Sequence, residues 1–210
     1  MNMEQQFDTP LGIVKCGLNS NAILSLVGIK KYENGQSKIF KTIGYRVEII
    51  SFKIRLPLYN GENVAESRGW IFRIEKINSA DEMLEAYCML SGHLGSTEFD
   101  SATGEHLDAI QADNSEWTLH IGTEDGEVLN ARAENDDWFP PRLKNDVDFC
   151  QSITEMKQNG LITKIPHLNK GEKLHIQYLV AYDKKDESKV NTWLAVDESK
   201  RNLENWIGLW

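Results

Sequence analysis

The chain is poor in cysteine, and the little it has does not pair. Its three cysteines, Cys16, Cys88 and Cys150, are widely spaced, odd in number and without a CxxC. That usage argues against a disulfide framework and for a reducing compartment, with all three expected as buried thiols. No apolar run approaches the roughly 20 residues of a spanning helix. The first ten residues lack a basic start leading into an apolar stretch, so no secretory signal and no membrane partner are expected and the cytoplasm is the default.

Chemical motifs are equally scarce. The histidines, His93, His106, His120, His167 and His175, show neither HxH nor HExxH spacing, and GxSxG, GxGxxG and GxxxxGK[ST] do not occur. The EF-hand pattern is missing, and the acidic turns at 113–116 and 124–127 are each too short for the roughly 6–8 oxygens of a calcium site. No metal and no cofactor are therefore expected. On their strands, His120 and His175 point away from the apolar set, which reads as solvated imidazoles. A base, an orienting acid and a polar loop coincide at one place, Glu105-His106 beside Asp108, a weak acid–base signal. Basic patches interleaved with aromatics are also lacking, so nucleic acid is not an expected partner.

Acid is what the sequence does have, and it is concentrated. Residues 98–148 carry fourteen acids against three bases, a net of −11 within a chain whose total is −9. Such a block disfavours nucleic acid and anionic membranes and favours a cationic partner, although a merely solubilising face has the same composition. Within it, residues 134–142 set Trp138 and Phe139 among Glu134, Asp136 and Asp137, ahead of the rigid Pro140-Pro141 step. The candidate partner-binding residues are Asp113, Glu116, Glu124, Asp125, Glu134, Asp136 and Asp137 as steering carboxylates, with Trp138 and Phe139 as aromatic anchors.

Hydrophobic periodicity points to a mostly β (α+β) fold: an antiparallel β-sandwich or strongly bent sheet of roughly ten strands with two packed helices. A single β-rich domain over residues 1–210 is expected, with a weak boundary possible within 93–116. The clearest strand signal is at 173–183. Leu174, Ile176, Tyr178, Val180 and Tyr182 share one face, and Lys173, His175, Gln177 and Asp183 the other. Residues 189–197 are expected to return as the second strand of a hairpin. Strands are also read at 11–16, 22–30, 37–43, 45–58 and 69–77, with a tight turn centred on Asn34-Gly35. The phase change between Val47/Ile49 and Ile50/Phe52/Ile54/Leu56 reads as a bulge or a strand leaving its sheet, with Pro57 at its end. A hairpin about Asp125-Gly126 would join strands 117–123 and 127–133. One helix is expected after the Ser79/Glu82 capping box, and a second over 146–159 behind Asn145. The apolar tail 203–210 is expected to dock in cis as a last strand, or to plug a partner.

These readings support a non-enzymatic cytoplasmic binding protein whose acidic surface docks a basic protein, in its most concrete form an inhibitor or immunity protein. The alternatives are an assembly subunit joining through its tail or a sheet edge, and a hydrolase or metal-dependent enzyme with a site gathered from distant loops.

Overall fold

The computed structural model describes residues 3–54, 58, 62–93, 95–104, 106–134, 136–144, 146, 153–186 and 188–209. The strong alternation at 173–183 becomes the longest strand, β13 (Lys173–Lys184), at the centre of the larger sheet. That sheet runs β3 (Ser25–Tyr32), β4 (Gly35–Lys41), β5 (Tyr45–Lys53), β6 (Glu66–Lys76), β13, β10 (Trp117–Glu124), β9 (Leu107–Asp113), β8 (Glu98–Ser101). The smaller sheet runs β1 (Gln5–Thr9), β2 (Gly12–Ser20), β7 (Leu84–Ser91), β12 (Gly160–Lys164), β11 (Thr154–Lys157). The pairings are antiparallel throughout both sheets. The fold is thus the expected mostly β sandwich.

The main core lies between the sheets, where Phe72, Ile74, Leu174, Ile176, Tyr178 and Val180 meet Val14, Leu18, Ala86, Cys88, Leu90 and Leu161. Tyr178 ties the layers together. Its hydroxyl, fully buried, donates to Thr163 Oγ1 at 2.6 Å and lies 3.1 Å from the carbonyl oxygen of Ala86, both on the opposite sheet. Cys16 and Cys88 sit directly opposite each other on β2 and β7, both as buried free thiols. Burial, and then the Cys88 neighbour, push the Cys16 thiol up. Cys150 lies outside the described residues.

A second core covers the other face of the larger sheet. Ile50, Phe52, Ile71, Leu179 and Ala181 pack there against Val196, Leu203 and Ile207 of the C-terminal segment. This corrects the reading of β5. Its two apolar phases feed two cores on opposite faces, and its register with β4 and β6 is unbroken. Leu56 and Pro57 lie outside the described residues. A bulge does occur in the sheet, but on β3, between Leu26 and Gly28.

Several expected elements take another form. The capping box at Ser79 and Glu82 starts no helix: residues 84–91 are β7, with Leu84, Ala86, Cys88 and Leu90 buried at period two. The Glu82 carboxylate instead accepts from Ser20 Oγ, Thr42 Oγ1 and the Gly44 amide, which fastens the β4–β5 turn to the β6–β7 connection. Asp125 does not sit in a hairpin turn. It caps α1 (Gly126–Arg132) by accepting from the Val128 amide. Of the helix expected over 146–159, residues 147–152 lie outside the described residues, and 154–157 are the strand β11. The return after β13 is α2 (Asn191–Leu194), and the tail is α3 (Lys200–Ile207), capped by Ser199 and stopped by Gly208 at φ 80°. The tail does dock in cis, through Leu203 and Ile207, as a helix. The Asn34-Gly35 turn falls one residue early, with Tyr32 opposite Gly35.

Removing the Tyr178 hydroxyl tests the tie between layers. Tyr178→Phe deletes a donor but keeps the packing, so a loss of about 1–2 kcal/mol is expected from urea midpoints at unchanged m-value. A change near zero would show that the hydroxyl contributes nothing to holding the sheets.

Candidate functional site

The outer face of β6, β10 and β13 carries polar side chains as well as the second core, and α1 and α3 enclose them. Arg132 of α1 pairs with Glu124 at the end of β10 and with Asp136 Oδ2 at 2.8 Å. Asp136 Oδ1 receives Lys200 Nζ at 3.1 Å, and Lys200 reaches Glu204 Oε2 at 3.0 Å. Glu204 Oε1 closes on Arg73 of β6 at 2.7 Å. Three cations alternate with three carboxylates, so the cluster is neutral in sum, the condition under which charges tolerate burial.

His175 stands inside this network, fully buried, with Nε2 donating to Gln177 Oε1 at 3.2 Å. Burial, and then the charges of Arg132 and Lys200, hold its pKa well below the ordinary 6.5. His120 is buried as well, its Nδ1 2.9 Å from Thr192 Oγ1 on α2, and burial lowers its pKa to about 4. Neither is the solvated imidazole the alternation implied. The polar face of a strand becomes interior when a helix docks over it.

The acidic block does not form one surface. Glu124 and Asp136 belong to the buried network, and Asp125 is a helix cap. Burial pushes the Glu124 carboxyl up against the pull of Arg132, while Arg132 and the Trp138 amide hold Asp136 low against its own burial. Glu134 is exposed and pairs with Lys144, and Asp137 is exposed. Trp138 is half-buried, with Arg73 at 5.0 Å and Lys173 at 5.3 Å from its ring centroid. Phe139 is 1% exposed within the main core, so it cannot serve as a surface anchor. Asp113 and Glu116 lie at the other end of β10 from Glu124 and Asp125, beside the β9–β10 turn. There they join Glu98 and Asp100 of β8, which pair across to Asp113 and Gln111.

Behind that corner is a polar cleft of about 440 Å³ lined by Gln111, Asp113, His120, Lys185, Thr192 and Trp193 among others. Its hydroxyl–imidazole contact resembles a nucleophile beside its base. A base with a pKa near 4 is poorly matched to neutral pH, however, and the Asp113 carboxylate is engaged by Gln111 at 2.6 Å and Lys185 at 3.5 Å. The Thr192–His120 contact fastens α2 to β10. Of the weak acid–base signal, Glu105 lies outside the described residues and His106 is exposed. Asp108 is raised by partial burial and by Asp125. Among the described residues, no group of three or more His, Cys, Asp or Glu side chains is arranged to hold a metal ion, and no helix is long and apolar enough to cross a membrane.

No protein-family model and no curated protein matches the chain in sequence. Among solved structures, it is similar to a putative kojibiose phosphorylase from the human microbiome, at a TM-score of 0.41 and 11% identity. The match spans 100% of this chain and 28% of that one. A likeness of that degree assigns no activity here.

The buried histidines set a pH dependence. Below pH 6.5 the unfolded chain binds a proton at His120 that the folded chain refuses until about pH 4, so stability falls as pH falls through that window. His175 adds a contribution of the same sign. The raised carboxyls Glu124 and Asp108 act oppositely, above the ordinary carboxylate pKa. Between pH 7.5 and 5.5 a loss of about 1 kcal/mol from His120 alone is expected in urea titrations, and His120→Asn should remove that share. Stability that is flat or rising on acidification would contradict the assignment.

Proposed function

We propose that the chain is a non-catalytic protein-binding module whose acidic edge, β8 with the β9–β10 turn, docks a positively charged protein. An inhibitor or immunity protein directed at a basic target is the concrete form of this reading. One observation carries it. Glu98, Asp100 and Glu116 are exposed, and none makes an ion pair with a described residue. Glu98 and Asp100 also lie on the outermost strand of the sheet, whose outer main-chain groups have no partner strand among the described residues. Carboxylates buried in the Arg132 network already have their cations and cannot steer a partner. Those on β8 can, over a Debye length of about 8 Å at physiological salt.

A second reading, an assembly subunit, gains from a different observation. Ile23, Val27 and Ile29 on or beside β3, the opposite edge strand, are 89%, 56% and 64% exposed. The tail, docked in cis, does not serve that role.

The test is capture of partners from native lysate on immobilised protein, eluted by a salt step, with Glu98→Lys/Asp100→Lys/Glu116→Lys as control. Because these side chains are exposed, the variant should fold normally. It should associate with the captured basic protein about tenfold or more slowly at low salt, the gap closing as salt rises. Equal capture by both proteins would overturn the reading.

A further inference from the structure

Among the described residues, the larger sheet ends in two edge strands of opposite character with no further strand beyond them. At one end, β8 presents Glu98 and Asp100 on the outer face and half-buried Phe99 on the inner face, against the main core. At the other end, β3 carries Lys30 and Lys31, which make no ion pair among the described residues, and exposed Ile29. The register fixes which face each occupies. Ile29 pairs with Lys38, which shares a side of β4 with the main-core residue Phe40, so Ile29 lies on the inner side. Lys30 pairs with Ser37, whose partner on β5 is Ile50 of the second core, so Lys30 lies on the outer side.

We propose that β8 of one copy pairs antiparallel with β3 of a second copy, with Phe99 opposite Ile29 and Glu98 opposite Lys30. This gives the acidic edge a local partner, the lysine-bearing β3 edge of a second copy, and rests on the reading above that β8 is a docking edge. In this register the apolar pair falls on the inner face and the ion pair on the outer face, so each side chain keeps the environment of its own sheet. Lengths agree as well. The bulge between Leu26 and Gly28 limits regular pairing on β3 to residues 28–32, and β8 has four residues. Lysines on an edge strand normally repel a further strand. Here Glu98 on the opposite edge of the same sheet neutralises Lys30, the lysine that shares its outer face. The contact is heterologous, so it propagates head to tail rather than closing as a two-fold dimer. With so few residues per strand it belongs to the weak, concentration-dependent class of interfaces.

Sedimentation velocity on the full chain at about 0.15 M salt, where long-range repulsion between −9 copies is screened, reads the association directly. The wild type should form species larger than a monomer as concentration rises. Glu98→Lys/Asp100→Lys and Lys30→Glu/Lys31→Glu should each remain monomeric alone, and mixing the two should restore association. A wild type that stays monomeric at the highest attainable concentration would overturn the proposal. So would variants that associate as the wild type does, or a mixture that fails to recover. A monomeric wild type that still captures a basic protein, lost with Glu98→Lys/Asp100→Lys, would overturn self-pairing and leave the acidic-edge reading standing. A monomer that captures nothing would end both.

Discussion

β5, β6 and β13 run through the middle of the larger sheet with apolar side chains on both faces, so neither face of that sheet can be left in water. The smaller sheet covers one face. The other is covered by α2, α3 and the segment between them, elements too short to be stable alone. Ile50, Phe52, Ile71, Leu179, Leu203 and Ile207 are buried in that second core. At about 1.5–3 kcal/mol each, their burial is comparable to the net stability of a whole domain. The tail is therefore part of the fold, and its helix must also bring cover for the polar side chains of the strands beneath it. The Glu124–Arg132–Asp136–Lys200–Glu204–Arg73 chain of ion pairs supplies that cover, joining β10, α1, α3 and β6 in one neutral cluster.

This constraint separates acid that builds the protein from acid that can act outside it. Clustering in sequence put Glu124, Asp136 and Glu98 in one block, but the fold divides them between a buried network and an open sheet edge. Only carboxylates of the second kind retain a field in solvent. Among the described residues, β8 and β3 then combine outer main-chain groups that have no partner strand with charges held in no ion pair, and β3 adds exposed apolar side chains.

Strands carrying strong alternation or two-sided apolar runs, β13, β6 and β10, were legible from residues alone, because period two over eight or more positions has few competing explanations. Shorter segments were not. Residues 84–91 hold period-two burial, yet Ser79 and Glu82 imitate a helix cap, and only the distant contacts of Glu82 with Thr42 and Gly44 show its use. Asp125-Gly126 supports a turn or a helix start equally well, and what decides it is Arg132 reaching back to Glu124. The tail did hold a readable signal: Leu203 and Ile207 are four residues apart, between a Ser cap and a Gly stop. His120 and His175 are buried for a three-dimensional reason that alternation does not encode, since a strand's polar face is wet only if nothing later in the chain docks over it. The open β8 edge was invisible for the same reason, because edge position belongs to the topology.

Amide hydrogen exchange, followed strand by strand at low and high protein concentration, bears most directly on whether the two edges are the working surfaces. Opening of an edge strand requires little free energy, so its amides report any added partner. Protection should rise with concentration in β8 and in residues 28–32 of β3, while β13 and β6 exchange slowly and identically throughout. Edge amides that exchange at one rate at every concentration, with and without a captured partner, would contradict it.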